Sequence, residues 1–242
     1  MDLPVRADGK QGRDGTAATD SADNSELVAK ERIFRQCECC GAPIEITLIE
    51  SGDRRRGVLW SDGYLENDDA PTPSILGKCR VCGAMGCLVE LPLMEYAAHR
   101  ELTNDYTAVP LTVDEYAALL ENLEEIGEQF HCYLRISFWQ LSNHRRRHDG
   151  ADEPLSEFEN ANLQGLRELL DEDDPAERLI KVEVLRQLQQ FERAEALLAE
   201  PVHPEIVPLV ERLWQLLEAR DANLVKLFTG EPGDEMPAFL SR

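Results

Sequence analysis

Two cysteine pairs carry the clearest chemistry in this chain. Cys37-Glu38-Cys39-Cys40-Gly41 and Cys79-Arg80-Val81-Cys82-Gly83 share the pattern Cys-x-x-Cys-Gly. A tight turn over that spacing brings two thiolates onto one tetrahedral ion, and two such turns close its coordination sphere. Glycine after the second cysteine adopts a positive φ at no steric cost, which lets backbone N–H groups point at the sulfurs. Cys39 competes with Cys40 as a ligand, and Gly41 decides between them, because it follows Cys40 as Gly83 follows Cys82. The pattern predicts one structural Zn2+ per chain held by Cys37, Cys40, Cys79 and Cys82. A closed sphere of four thiolates leaves no position for a reactive water, which argues against catalytic zinc. Iron in the same four positions is the alternative. Cys39, Cys87 and Cys132 are left over and read as small apolar packing residues.

Two matched knuckles about forty residues apart resemble the zinc-ribbon or rubredoxin-like class over roughly residues 35–90. The resemblance implies a small β module built around the metal. Between the pairs, Ile44, Ile46, Leu48 and Ile49 form a β-prone run that ends at the turn signal Ser51-Gly52-Asp53. A second run follows at Val58, Leu59 and Trp60, and the two are expected to form a hairpin rising from the first knuckle. Residues 61–77, with Gly63, Pro71, Pro73 and Gly77, read as a loop.

The chain has 242 residues and a formal net charge of −22, from 47 acids against 25 bases. Such acidity repels polyphosphate at long range and weighs against nucleic acid as a partner. Acid is concentrated in residues 151–200, with 14 acids against 5 bases. Two basic clusters interrupt it: Arg54–Arg56, and His144-Arg145-Arg146-Arg147-His148 at a helix end, where cations are favoured. They read as solvated charge, or as docking sites for the acidic segment 168–177. No apolar stretch approaches the roughly 18–20 residues a membrane span needs. The first 36 residues also lack the apolar core of a signal peptide. Seven cysteines, four of them in metal-type spacing, fit a reducing compartment better than a disulfide framework. The expected location is cytoplasmic.

Helical signals take over near residue 110. Thr112 with Glu115 forms a capping box ahead of Val113, Tyr116, Leu119, Leu120 and Leu123. A second helix is expected over 128–144, with Phe130, Leu134, Phe138 and Leu141 on one stripe. Ser156 with Glu159 caps a third, whose face is Phe158, Ala161, Leu166, Leu169 and Leu170. Asp174-Pro175 then combines an N-cap with proline at the first helical position. From Leu179 to Ala199 the chain resembles a tetratricopeptide-type hairpin, with Leu185, Leu188, Phe191, Ala194, Leu197 and Leu198 at packing positions. It departs from that pattern at Gln189, where glycine is usual. The resemblance implies a groove that takes a peptide or partner protein. A last helix is expected from Pro204 through Leu224.

These readings predict an α+β fold, a small β zinc ribbon followed by an all-α helical-hairpin region. The expected divisions are a disordered tail at 1–32, a ribbon at 33–110, a connecting helical hairpin at 111–150, a tetratricopeptide-like domain at 151–228 and a flexible tail at 229–242. There is no His-Glu-x-x-His, Gly-x-Ser-x-Gly, phosphate loop or dinucleotide fingerprint, so no reaction is inferred. The functional expectation is an adaptor acting through protein–protein contacts. Its alternatives are a nucleic-acid-associated ribbon using Arg54–Arg56, Trp60 and Arg145–Arg147, or an enzyme whose site has no familiar motif.

Overall fold

A computed structural model of the chain describes residues 29–50, 57–67, 75–95, 105–149 and 153–231. Arg54–Arg56, most of the N-terminal tail and residues 232–242 lie outside the described residues. The fold is α+β: small antiparallel sheets come first and helices follow.

Strands β1 (Ala29–Gln36) and β2 (Pro43–Glu50) pair antiparallel, with Gln36 opposite Pro43. The first knuckle is therefore the turn of this hairpin. This corrects the expected pairing of the 44–49 run with Val58–Trp60. The true partner precedes the cysteines and reads as mixed polar sequence, because only its Ile33 side faces the metal core. Ile33 lies opposite Ile46 and packs with buried Ile44, Ile46 and Leu88 around Cys37 and Cys79. On the other face Arg32 pairs with Glu45 and lies over the Phe34 ring. β1 also begins inside the segment expected to be a disordered tail.

Strand β3 (Val58–Trp60) is instead the centre of a three-stranded sheet. β4 (Leu65–Glu66) flanks it on one side, and on the other lies β7 (Lys226–Phe228), which follows the last helix in sequence. β5 (Leu76–Lys78) and β6 (Met85–Cys87) form the second knuckle's hairpin. The passing segment 105–109 joins the two knuckle hairpins. Glu45 N–H donates to the Tyr106 carbonyl at 2.8 Å, and Lys78 and Val109 exchange backbone bonds of 2.9 and 3.0 Å.

Helix α1 (Val113–Glu121) starts at the Thr112–Glu115 capping box, with both reciprocal bonds present. α2 (His131–Ser142) buries Leu134, Phe138 and Trp139. Directly after it comes α3 (His144–Asp149), a short helix that holds the basic cluster expected at a helix end. α4 (Glu157–Leu169) begins at the Ser156–Glu159 capping box. Its buried face centres on Leu163 and Leu166, while Phe158 and Leu169 stay largely exposed. Phe158 still meets Phe138 edge-on, with ring centroids 5.3 Å apart. α5 (Pro175–Gln187) is capped by Asp174, and α6 (Phe191–Leu198) and α7 (Val207–Glu218) follow. α7 ends before Leu224, so the expected last helix was too long at its C-terminal end.

Trp139 of α2 packs with Leu163 and Leu166 of α4 and Val184 of α5. The opposite side of α5 sends Val182 and Leu185 against Ala194, Leu198, Val210, Leu213 and Leu217. α5 is thus apolar toward two neighbours, which suits the central helix of a stack. Among the described residues no helix is long and apolar enough to cross a membrane.

Candidate metal centre

Each knuckle is a tight turn closed by the same backbone bonds. Gly41 N–H donates to the Cys37 carbonyl and Gly83 N–H to the Cys79 carbonyl, both at 2.8 Å. Cys37 N–H and Cys79 N–H donate to the carbonyls of Ala42 and Ala84 at 2.8 and 2.9 Å. Gly41 and Gly83 have φ of +73° and +75°, a conformation that strains any residue with a Cβ. The matched glycines mark two copies of one local structure.

The two copies face each other. Cys37 Sγ lies 3.7 Å from Cys82 Sγ, and Cys40 Sγ lies 3.8 Å from Cys79 Sγ. All four sulfurs fall within 4.8 Å of one another. Ligands at about 2.3 Å from a tetrahedral zinc stand about 3.8 Å apart, so the spacing suits such an ion. The first cysteine of each knuckle is buried and the second exposed. Cys39 is exposed and stands outside the cluster, as the glycine register indicated.

The cluster is electrostatically uneven without a cation. Burial disfavours a thiolate at Cys37, but N–H groups of Cys40 and Cys39 and the thiols of Cys82 and Cys40 outweigh it, holding Cys37 at about 7. At Cys40 the Ala42 N–H favours the thiolate, yet desolvation and the sulfurs of Cys82, Cys37 and Cys79 push it up to about 12. Two thiolates this close repel by roughly 4 kcal/mol at an effective dielectric of about 20. Four of them need a cation. The set can therefore hold a metal ion such as zinc.

The remaining thiols do not join it. Cys87 and Cys132 are each part-buried, and burial raises both above the ordinary thiol value. Two histidines make local backbone contacts: His131 Nε2 lies 3.0 Å from the Ile126 carbonyl, and His203 accepts from Glu205 N–H as an N-cap.

Comparison with known protein families, curated proteins and solved structures finds no match for this chain.

In the basic cluster at 145–147, Arg146 and Arg147 are spent inside the molecule, while Arg145 stays 70% exposed. Arg145 reaches Glu153 at 3.0 Å, Arg146 reaches Glu159 at 2.6 Å, and Arg147 pairs with Asp62. None of the three docks on the acidic segment 168–177. Asp62, Glu183 and Arg186 went unnoticed in the sequence, yet all three are buried. Arg186 donates to Glu183 twice at 2.7 Å, to Ser61 Oγ at 3.2 Å and to the Asn223 carbonyl at 2.8 Å. One signal was available: Glu183 and Arg186 interrupt an otherwise apolar face of α5.

Proposed function

We propose that this protein is an adaptor whose β module is stapled by one structural zinc ion at Cys37, Cys40, Cys79 and Cys82, and that it acts through protein–protein contacts. The observation that carries the metal reading is the cluster of four sulfurs, two pairs at 3.7 and 3.8 Å and all within 4.8 Å of one another. The contact reading is supported by exposed apolar residues of the metal module: Val81 in the second knuckle is 61% exposed, Met85 and Val89 after it face solvent, and Leu93, beside Arg35 of β1, is 65% exposed. Isolated exposed apolar residues are ordinary, but four on one small metal module offer more apolar surface than such a module needs to expose.

The nucleic-acid reading loses support at Arg146 and Arg147, whose side chains are buried against Glu159 and Asp62. Protein with net charge −22 would then have to find phosphate contacts elsewhere.

Metal analysis of the purified chain tests the first half. Close to one zinc per chain and no visible colour are expected, while a red protein would place iron at the site. Cys40→Ser and Cys82→Ser should lose the metal and Cys39→Ser should keep it. Loss of metal in Cys39→Ser with retention in Cys40→Ser would overturn the ligand set. Affinity purification, scored separately for protein and nucleic acid, tests the second half. A bound protein released by Val81→Glu or Leu93→Glu, at unchanged zinc content, is the expected result.

A further inference from the structure

The short helix α3 carries two histidines that the arginine pairs of the same cluster do not use. His144 and His148 stand four residues apart, so they share one side of the helix, and their ring centroids lie 4.3 Å apart. Both are exposed. Two imidazoles at this spacing on a helix can reach one zinc ion. The spacing alone is common, and a third group gives it weight.

That group is Glu66 of β4. Its Oε1 lies 3.7 Å from His148 Nε2, and the two side chains are 31% and 46% exposed. The separation is too long for a hydrogen bond. It is close to the distance of about 3.4 Å between two nitrogen or oxygen ligands of a tetrahedral zinc. The other oxygen, Oε2, accepts from the indole N–H of Trp60 at 3.0 Å. Trp60 is itself buried in the three-stranded sheet, so the carboxylate is held from below by a fixed donor. Such a bond behind a ligand orients it toward its metal.

The nearby cations are engaged elsewhere. Arg147 pairs with Asp62 and lies over the Tyr64 ring, Arg145 reaches Glu153, and Lys226 lies 5.2 Å from the centre of the Trp60 ring. At long range the net charge of −22 favours the approach of any cation. The three groups do not yet close on one point: among the described residues only the four cysteines bring three or more ligand atoms within 4.8 Å of one another. Closure requires the exposed His144 ring to turn to another staggered rotamer.

We propose that His144, His148 and Glu66 form a second metal site, which takes a zinc ion from solution and releases it again. Imidazole and carboxylate suit zinc and its neighbours better than calcium or magnesium. Three protein ligands leave a fourth position to water, unlike the closed set of four thiolates. The ion is therefore lost when the protein is purified in the presence of a chelator, and the site fills only when zinc is supplied. It shares no residue with the cysteine cluster.

The full chain, zinc-loaded at its cysteines and freed of loose metal by a weak chelator, is titrated with zinc, and bound metal is counted by equilibrium dialysis. One further zinc per chain should bind saturably. His144→Ala, His148→Ala and Glu66→Gln should each weaken it at least about tenfold, with the cysteine-held metal unchanged. Arg145→Ala, on the same helix and 70% exposed, should bind the second ion as the parent does. Far-UV circular dichroism checks that each variant is folded, and His148→Gln replaces any alanine variant that is not. No second saturable ion, a second ion undiminished in both folded histidine variants, or one lost equally in Arg145→Ala would each overturn the proposal.

Discussion

Arg147 on α3 and Asp62 in the turn after β3 form an ion pair in which the two side chains are 1% and 0% exposed. Asn143 Nδ2 donates to the same carboxylate at 2.9 Å, the Tyr64 N–H at 3.1 Å, and the Gln140 side chain to the Asp62 carbonyl at 3.1 Å. The pair therefore ties the β3–β4 turn to the end of α2 and to α3. It also removes from solvent an arginine that the sequence placed in an exposed basic run.

Breaking this pair on one side strands a buried charge, which costs about 3–5 kcal/mol. Arg147→Met should lower stability by that order in urea unfolding. Adding Asp62→Asn to Arg147→Met should recover a large part of the loss, since no uncompensated carboxylate then remains. Arg145→Ala is the control: its side chain is 70% exposed, and an exposed pair contributes at most about 1 kcal/mol. Equal losses at 145 and 147 would contradict the burial described here.

Glu159 gives a pH signature. Burial alone would raise its carboxyl, but the Arg146 guanidinium, the Ser156 N–H and the Ser156 hydroxyl together hold it below the ordinary glutamate value of 4.5. A carboxyl lowered in the folded state stabilises the fold above the unfolded value, and that contribution is lost as pH falls through the folded one. Glu159→Gln should cost about 1.5–3 kcal/mol near neutrality, the range for hydrogen bonds to charged groups. Below pH 4.5 the difference from the parent chain should shrink. Chemical denaturation from pH 7 down to pH 3 measures both, and a constant difference over that range would exclude Glu159 as the source.

The legibility of this sequence tracked the range of the interactions involved. Capping boxes at Thr112 and Ser156 and the Asp174-Pro175 start are local signals, and all three helices begin where those residues place them. The four-cysteine cluster was also readable, because Gly41 and Gly83 encode the knuckle within five residues. Strand pairing was not. Ser51-Gly52-Asp53 is a fair turn signal, yet β2 pairs backward with β1 because the knuckle itself supplies the turn. Lys226–Phe228 carries three residues of pattern, too few to announce a strand, and its partner lies far away in sequence. The Asp62 and Glu183 sites were invisible for the same reason. A buried carboxylate looks like any surface acid until its guanidinium is placed beside it.

Gln189 illustrates a local rule that the chain breaks. Its φ is +59°, at the position where the helical-hairpin pattern favours glycine. Gln190 N–H donates to the Leu185 carbonyl and Gln189 N–H to the Arg186 carbonyl, at 2.8 and 2.9 Å, the pair of bonds that ends a helix in a left-handed residue. A side chain there costs roughly 1–2 kcal/mol relative to a right-handed backbone. Gln189→Gly should therefore raise stability by about 1 kcal/mol, less whatever glycine adds to unfolded-state entropy. Arg220, with φ +52° at the end of α7, offers the contrast. Its guanidinium reaches Glu192 and Glu195 at 3.3 Å and lies over the Phe191 ring, so Arg220→Gly should show no net gain. Thermal melts of the two variants decide the matter.

The pairing of β3 with β7 bears on whether the helices stand alone. From caps and apolar stripes, residues 152–242 read as a self-contained helical fragment. Three long-range contacts argue that they lean on the rest of the chain. Leu59 and Trp60 pair with Phe228 and Lys226, Ser61 Oγ receives the Arg186 guanidinium, and Trp139 donates to Gln187 at 3.0 Å while filling the core beside Leu163 and Leu166. Deleting residues 1–151 removes Trp139 from a buried site, and losing an aromatic of that kind costs about 3–5 kcal/mol. It also leaves β7 without a partner and Arg186 short of one acceptor. The isolated 152–242 fragment should retain helical circular dichroism but unfold at lower urea than the full chain. Its denaturant slope should be shallower too, because less surface is exposed in a looser structure. Adding residues 29–150 in trans should move the transition back toward that of the full chain. A fragment that unfolds at the full chain's midpoint, unaffected by the added piece, would mean that these contacts carry no stability and that the helices form an independent unit.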